Sequence, residues 1–255
     1  MTGGIIAGLT AGVEVQATSA SRRVGEELAV VLDGAPTGDG AFGRIQLEVE
    51  ASRAQFTGTV LKNVATSGFD MRFEVGEAET LVSARWRPGR RERLLNRALK
   101  ARQRLLLAQA LVHYPALWQA GIAGAVPIAG CVLMVKGRGV LVSGPSGVGK
   151  STLLAHELAA GATAISDNLV ALDPPNRMAH GLVEPLRADF SQLPPGIATP
   201  LPRRRTTRGR GEGHLNRRAD SVSVDAVVLL RRAGAVPGLT RLGPGAAARE
   251  LAAAT

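Results

Sequence analysis

The pattern of hydrophobic and polar positions divides the chain into three parts. In the first part, short alternating runs such as Arg44–Val49 and Met71–Val75 predict strands, and Ser21–Leu32 is typical of a helix. Residues 90–112 have a helical period, and the apolar runs that follow predict a larger α/β region. We therefore divide the chain into residues 1–88, a strand-rich N-terminal accessory region; 89–120, a basic amphipathic connecting helix; and 121–255, the main domain.

The segment 90–112 carries two contrasting stripes at helical spacing. The apolar stripe consists of Leu94, Ala98, Ala101, Leu105, Ala108 and Val112, and the basic stripe of Arg93, Arg97, Lys100 and Arg104. A helix that covers a core and exposes a solvated basic face is the simplest interpretation. The alternative is a docking surface for an acidic partner or a nucleic acid.

The positive charge of the chain is concentrated in two stretches. Lys and Arg number 31 against 21 Asp and Glu, for a formal net charge of +10, and residues 86–104 and 202–218 hold more than this excess. The remaining chain is slightly acidic, which disfavours a general nucleic-acid-binding protein. The Arg-rich stretch 203–210 predicts a surface loop, either disordered or closing over phosphates or an acidic substrate.

An apolar segment, Leu117–Val135, is long enough to consider as a membrane span. Pro127, several glycines and the strand-like continuation beyond it favour a buried strand instead, so we predict no membrane span. Cys131 lies in this segment as the single cysteine, which predicts a buried thiol and a reducing, cytoplasmic location. The N-terminus has no basic region before its apolar patch, so no signal peptide is predicted.

The strongest motif is Gly144-x-x-x-x-Gly149-Lys150-Ser151, between a predicted strand, Val140–Val142, and a predicted helix, Thr152–Ala160. Its glycines allow successive N–H groups to surround a polyphosphate at the start of a helix. We expect Lys150 to reach the β and γ phosphates and Ser151 to offer its hydroxyl to Mg²⁺. The predicted nucleotide-binding residues are Gly144, Pro145, Ser146, Gly147, Val148, Gly149, Lys150, Ser151 and Thr152.

An acidic residue is expected close to this loop. The short apolar run Ala162–Ile165 predicts a strand that ends at Ser166-Asp167-Asn168, and ligands collect at strand ends in α/β folds. Asp167 is the best placed acidic residue after the loop, as a Mg²⁺ ligand or a proton acceptor. A turn-forming role is the alternative.

The stretch RGVLVSGPSGVGKSTLLAHELAAGATAISDNLV, residues 138–170, resembles the core of the HPr kinase/phosphorylase family and its related kinases. The resemblance covers roughly residues 127–250 and includes Glu184-Pro185-Leu186-Arg187, which is similar to a substrate-side segment of those kinases. It implies an α/β, P-loop fold of the HPr kinase/phosphoenolpyruvate-carboxykinase type, with MgATP as donor and a serine hydroxyl of a protein or peptide as acceptor. Some relatives accompany the maturation of ribosomally made peptides. The expected catalytic residues are then Asp167, Asn168 and Lys150, with Ser151 and Asp167 at the metal and Glu184 and Arg187 on the substrate side.

Two departures from the family pattern limit this expectation. The family's pair of aspartates becomes Asp167-Asn168, and an amide can orient a hydroxyl but cannot accept its proton. The His-Gly of the HPr kinases falls on Ala129-Gly130, so we expect a one-way kinase without phosphorylase activity.

Two other functions stay open on the residues alone. One is a catalytically silent nucleotide-binding subunit that recognises a peptide or protein partner. The other is a guanylate-kinase-like enzyme, because GPSGVGKST also suits that loop. The identity of the acceptor, the role of the N-terminal region and the formation of a homo-oligomer are equally open.

Overall fold

The fold was determined as a computed structural model, which describes residues 4–206, 209–232 and 238–254. It is mixed α/β with several sheets, as the sequence predicts.

The first sheet is formed by the N-terminal part of the chain. Its strands are β1 (Ile6–Thr10), β2 (Val13–Ser19), β3 (Arg44–Glu50), β4 (Phe69–Val75) and β5 (Glu79–Trp86), in the order β1-β2-β3-β5-β4. Helix α1 (Arg22–Leu32) connects β2 to its parallel neighbour β3, and the Ser21 side chain caps its first turn by accepting from the Val24 N–H. Alternate residues of β2 and β3 are buried beneath the helices, which explains the alternating pattern in the sequence.

The segment predicted as one long helix is interrupted. Helix α2 (Arg90–Ala98) ends at Leu99, whose φ of −119° and ψ of 66° are not helical, and α3 (Lys100–Ala108) starts immediately after it. A π-helical turn (Gln109–His113) and α4 (Tyr114–Ile122) then continue the chain.

The predicted apolar stripe of this segment is therefore wrong in its first half. Ala108 and Val112 are buried, but Leu94 is 69% exposed. The break at Leu99 interrupts the helical phase, so positions before and after it no longer share one face. The side chain of Arg97, assigned to the basic stripe, lies outside the described part of the structure.

The second sheet surrounds the predicted nucleotide loop. Its strands are β6 (Val126–Val135), β7 (Arg138–Ser143), β8 (Thr163–Ser166), β9 (Leu169–Asp173), β10 (Met178–Gly181) and β14 (Ser221–Leu229). The pairings run β6–β7–β14–β10–β9 and return to the first half of β6, while β8 pairs with its second half. Strands β7 and β14 are parallel, and α5 (Lys150–Ala159) follows β7 after a short loop.

The predicted strand in the apolar segment 117–135 is confirmed for its second half, which forms β6. The first residues of the segment belong to helix α4 instead. None of the described helices has the length and apolar character needed to cross a membrane.

A small third sheet consists of β11 (Leu186–Ala188), β13 (Gly211–Leu215) and β12 (Ala198–Arg205), in that order and antiparallel. The Arg-rich stretch 203–210 is therefore not entirely a loop, because its first residues belong to β12. Cross-strand pairing explains this difference, since Arg205 is opposite Gly211 of β13. Of that stretch, Thr207, Arg208 and the side chain of Arg203 lie outside the described residues. Helix α6 (Pro244–Ala254) packs against β14.

The first sheet is joined to the second by a shared core and by backbone contacts. Its hydrophobic core includes Ala171 of β9 and Leu182, just after β10. The Ala11 N–H, in the turn between β1 and β2, donates to the Gly181 carbonyl at 2.7 Å. The Thr10 hydroxyl accepts from the Val183 N–H at 2.8 Å. The N-terminal sheet therefore lies directly against the segment that precedes Glu184.

Candidate functional site

The glycine-rich loop connects β7 to α5. Gly144, Gly147 and Gly149 have φ angles of 142°, 77° and 113°, which disfavour any residue with a side chain. At Gly144 a Cβ would also lie 2.4 Å from the Leu230 carbonyl oxygen, which packs against the loop from the end of β14. Helix α5 begins at Lys150, two residues before the predicted start, so the loop leads directly into a helix N-terminus.

Lys150 is held by the first turn of this loop. Its Nζ donates to the Gly144 carbonyl at 2.6 Å and to the Pro145 carbonyl at 3.2 Å. A second cation is present that sequence reasoning missed, because Arg232 Nη2 donates to the Gly147 carbonyl at 3.2 Å. Its signal in the sequence was weak, because Arg232 is separated from Gly147 by 85 residues along the chain.

Asp167 is close to the start of α5, as predicted. Burial raises the pKa of its carboxyl, and the Ser151 hydroxyl, Arg187 and Lys150 partly offset that increase. Its Oδ1 is buried and has no hydrogen-bond partner among the described residues. An oxygen in this position lacks the partner that a buried polar atom normally has.

Asn168 and the predicted Ala129-Gly130 pair lie together. Asn168 is largely exposed, and its carbonyl accepts from the Gly130 N–H at 2.9 Å. The Ala129 carbonyl accepts from the Ser143 hydroxyl, at the end of β7, at 2.7 Å. Ala129, Gly130 and Asn168 therefore lie close to Ser143, the residue directly before the glycine-rich loop.

Glu184, expected on the substrate side, is buried close to Asp167. Burial raises the pKa of Glu184 to about 7. Arg187 and Arg218 oppose this increase, and the Asp167 carboxyl adds to it. The Asn168 side chain also acts to lower it. One oxygen, Oε1, has no partner in the described structure, while Oε2 lies 3.7 Å from Arg187 Nη1. The structure thus brings both predicted substrate-side residues to the Asp167-Asn168 turn.

A chain of alternating charges, which we call the charge ladder (Glu184, Arg187, Glu212, Arg204 and Glu27), extends from this cluster. Arg187 Nε lies 3.5 Å from Glu212 Oε1. Glu212 Oε2 lies 3.1 Å from Arg204 Nε, and Arg204 Nη1 lies 2.9 Å from Glu27 Oε2 of α1. Glu212 is only 4% exposed. Sequence reasoning missed Glu212, Arg204 and Glu27, because contacts between α1, β12 and β13 leave no local pattern.

A cleft of about 260 Å³ separates the start of α5 from β11 and the residues after it. It is lined on one side by Ser151 and Thr152 and on the other by Arg187, Asp189 and Arg210. A larger concavity of about 420 Å³ lies on the outer face of the first sheet, but it contains none of the predicted site residues. We therefore assign the site by its chemistry rather than by its volume.

Cys131 is buried beneath the loop, as predicted. Its Sγ lies 3.9 Å from the Lys150 carbonyl oxygen. Burial, with a smaller effect of Asp167, raises the pKa of the thiol to about 12. The group is consequently protonated at neutral pH and packs as a small apolar side chain.

The oxygen ligands of the site suit Mg²⁺ bound with a nucleotide. Mg²⁺ in such sites takes one or two protein oxygens and completes its shell with phosphate and water. The Ser151 hydroxyl and the partnerless Asp167 Oδ1 fit that requirement. A cluster of three or more His, Cys, Asp or Glu suited to a metal is not found among the described residues, and this kind of site does not need one.

Comparison with known proteins gives limited information. No family model matches the sequence, and no curated protein matches it. Among solved structures, the HPr(Ser) kinase/phosphatase from Coxiella burnetii is a weak structural neighbour, with a TM-score of 0.30 and 16% sequence identity. The similar region covers 46% of this chain and 66% of that protein. The likeness is too weak to support an argument about function.

Proposed function

We propose that the protein is an ATP-dependent kinase with a P-loop fold of the HPr kinase/phosphoenolpyruvate-carboxykinase type. It transfers the γ-phosphoryl group of MgATP to a serine or other hydroxyl of a protein or peptide. One observation carries the proposal: Ser151 and Thr152, which directly follow the glycine-rich loop and Lys150, share a cleft with Arg187, and the Ser151 hydroxyl contacts Asp167. Phosphoryl transfer depends mainly on positioning and charge stabilisation, and these groups can supply both.

Each residue of the site has a proposed role. The loop N–H groups and Lys150 bind the phosphates, and Arg187 faces the transferred group across the cleft. Ser151 and Asp167 would hold Mg²⁺, which would neutralise part of the phosphate charge. The acceptor oxygen bonds to the γ phosphorus while the bond from that phosphorus to the β–γ bridging oxygen breaks. ADP leaves with the electron pair, and the hydroxyl proton passes to the carboxylate of Asp167.

Asn168 does not prevent this function in the proposed mechanism. Its amide can orient the acceptor hydroxyl, and Glu184 provides a second carboxyl group close to the Asp167-Asn168 turn. Ala129 replaces the histidine of the bifunctional enzymes, so we propose transfer in one direction only.

Calorimetry with MgATP tests the nucleotide site. Lys150→Ala should weaken MgATP binding by at least about tenfold, because the ammonium group contacts the phosphates. Lys136→Ala is the matched control, since Lys136 is exposed in the turn between β6 and β7 and should bind like wild type. Equal affinities for wild type and Lys150→Ala would contradict a P-loop nucleotide site.

Transfer of labelled phosphate tests the kinase reaction separately. Wild type should label a hydroxyl-bearing protein or peptide acceptor, and Asp167→Asn should abolish labelling while protein folding is retained by circular dichroism. Phosphorylation of GMP instead would favour the guanylate-kinase-like hypothesis.

A catalytically silent nucleotide-binding subunit is the second candidate. The observation that favours it is Asn168, an amide where the resembling family has an acid. Binding of MgATP without transfer, together with transfer by Asn168→Asp, would support this candidate over the kinase.

A further inference from the structure

A second cleft extends the one beside the start of α5. It has a volume of about 560 Å³ and shares Asp189, Gln192 and Arg210 with the first cleft. The first cleft begins at Ser151 and Arg187, and the second ends at Arg205. We call this continuous depression the arginine groove, formed by Ser151, Arg187, Asp189, Gln192, Arg205 and Arg210.

The arginines of this region fall into two groups. Arg187 and Arg204 belong to the charge ladder and are compensated by buried glutamates. Arg205 and Arg210 are exposed, and neither forms a salt bridge with a carboxylate in the described ranges of the chain. Their exposed guanidinium groups can therefore bind an anionic ligand bidentately.

One carboxylate lies in the groove, but its own loop binds it. Asp189 Oδ1 accepts from the Ser191 N–H at 3.1 Å and from the Ser191 hydroxyl at 2.7 Å. Its Oδ2 accepts from the Gln192 side chain at 3.1 Å. Arg210 also helps to lower the pKa of Asp189 and so compensates part of that charge, but Arg205 leaves the groove with a positive charge.

The backbone of the groove suits an extended peptide. All residues of β11 line the first cleft, and β13 is the strand with which β11 pairs among the described residues. An edge strand of this kind offers main-chain groups to an added segment.

The same region does not favour nucleic acid. Proteins that bind single-stranded nucleic acid usually stack its bases on aromatic side chains. Phe190, an aromatic residue that lines the groove, packs against β13 so closely that a Cβ at Gly211 or Gly213 would lie 2.7 or 2.5 Å from its ring. Its ring is therefore engaged within the protein.

We propose that the arginine groove binds an acidic segment of the acceptor protein or peptide and directs its hydroxyl toward Ser151. This inference rests on the proposed kinase function, which it deepens by naming the charge of the substrate. Arg205 and Arg210 bind acidic side chains some residues away from the acceptor hydroxyl. The groove thus selects the substrate, while the loop and Asp167 perform the transfer.

Fluorescence anisotropy of two labelled peptides tests the groove directly, in the full-length protein without nucleotide. One peptide carries a serine flanked by glutamates, and the other has glutamine at every glutamate position. The variant Arg205→Gln/Arg210→Gln should bind the acidic peptide about tenfold more weakly than wild type, because two charge-assisted contacts are lost. The control Arg53→Gln/Arg138→Gln removes the same charge at exposed positions outside the groove and should change the affinity less than about twofold.

Three results would overturn the inference. The first is equal affinity for the two peptides, and the second is an equal loss of affinity in the groove variant and the control. The third is displacement of the acidic peptide by a single-stranded oligonucleotide at a lower concentration than by unlabelled peptide. A separate MgATP titration of wild type distinguishes this failure from that of the proposed function. Peptide binding without MgATP binding contradicts the kinase but supports the groove. MgATP binding without peptide binding overturns the groove alone.

Discussion

At the scale of single residues, buried side chains fix the backbone that leads to Glu184. Arg218 Nη2 donates to the Leu182 carbonyl, and His113 Nε2 lies 3.1 Å from the Val183 carbonyl oxygen. Burial lowers the pKa of Arg218 to about 10 and that of His113 to about 4. His113 is therefore neutral in the folded protein at neutral pH and donates from Nε2. Its protonation at acidic pH should destabilise the fold.

The stability of the protein should depend on His113 between pH 7 and pH 5. The unfolded state binds a proton near pH 6.5, whereas the folded state does so near pH 4, so stability falls as the pH falls through this range. The contribution of His113 to this loss is about 2 kcal/mol on lowering the pH from 7 to 5. Urea denaturation of wild type and His113→Gln at both pH values measures it. An identical pH dependence in the two proteins would contradict the assignment.

Glycine in the loop is required to different degrees at two positions. Gly144→Ala should lower the free energy of unfolding by about 1–3 kcal/mol, because the added methyl meets the Leu230 carbonyl at an unfavourable φ. Gly147→Ala is the matched control, since no atom lies within 4 Å of its added Cβ and only the strain of φ 77° remains. Thermal unfolding should rank Gly144→Ala as less stable, and the reverse order would contradict the packing of Leu230 against the loop.

At the scale of secondary-structure elements, the charge ladder connects α1 to the three strands of the third sheet and to Glu184, which precedes β11. Glu27 is on α1, Arg204 on β12, Glu212 on β13 and Arg187 on β11. Glu212 binds one arginine with each carboxylate oxygen. The third sheet is thereby joined to α1 at one end and to Glu184 at the other.

Loss of the Glu212 charge should therefore destabilise the protein strongly. Glu212→Gln leaves two arginines facing a neutral amide in a poorly hydrated position, at a cost of about 2–4 kcal/mol in the free energy of unfolding. Glu26→Gln removes an exposed carboxylate that pairs with Arg22 four residues earlier, and it should cost about 0.3–0.5 kcal/mol. Urea denaturation compares the two variants, and similar losses would show that the ladder does not stabilise the fold.

At the scale of the whole molecule, the first and second sheets pack directly against each other. They share the core around Leu182, the Ala11–Gly181 and Thr10–Val183 hydrogen bonds, and the charge ladder. These connections favour cooperative unfolding of the two sheets. The division of the chain at residues 88 and 120 stays a prediction.

Hydrogen exchange measures this cooperativity. Thr10→Val removes the acceptor of the buried Val183 N–H and should destabilise the protein by about 1–2 kcal/mol. Because the sheets are expected to open together, exchange should accelerate by similar factors in β2 and β7. Thr18→Val, on the outer face of β2, is the control and should change neither strand. Acceleration in β2 alone would indicate that the sheets unfold independently.

Much of the local structure could be predicted because it depends on neighbouring residues. Ser21 signals the start of α1, and the glycines and Lys150 signal the turn into α5, since these signals act within a few residues. The burial of Cys131 follows equally from the apolar run around it. The break at Leu99 could not be predicted, because a helical period does not reveal where the chain must change direction to pack.

The sequence by itself determined strands such as β3, β4 and β7, the helices α1 and α5, and a glycine-rich loop between β7 and α5, because periodicity and glycine chemistry are local properties. Only the tertiary structure decided that Glu184 lies near Asp167, that Glu212 binds two arginines, and that Arg205 and Arg210 line a groove that reaches the start of α5. The tertiary structure also gives the two basic stretches, which are similar in composition, different surroundings. The first lies on α2 and α3, and the second supplies residues beside the candidate site. The physical reason is that charges distant in sequence acquire partners, burial and free faces only when sheets pack against one another.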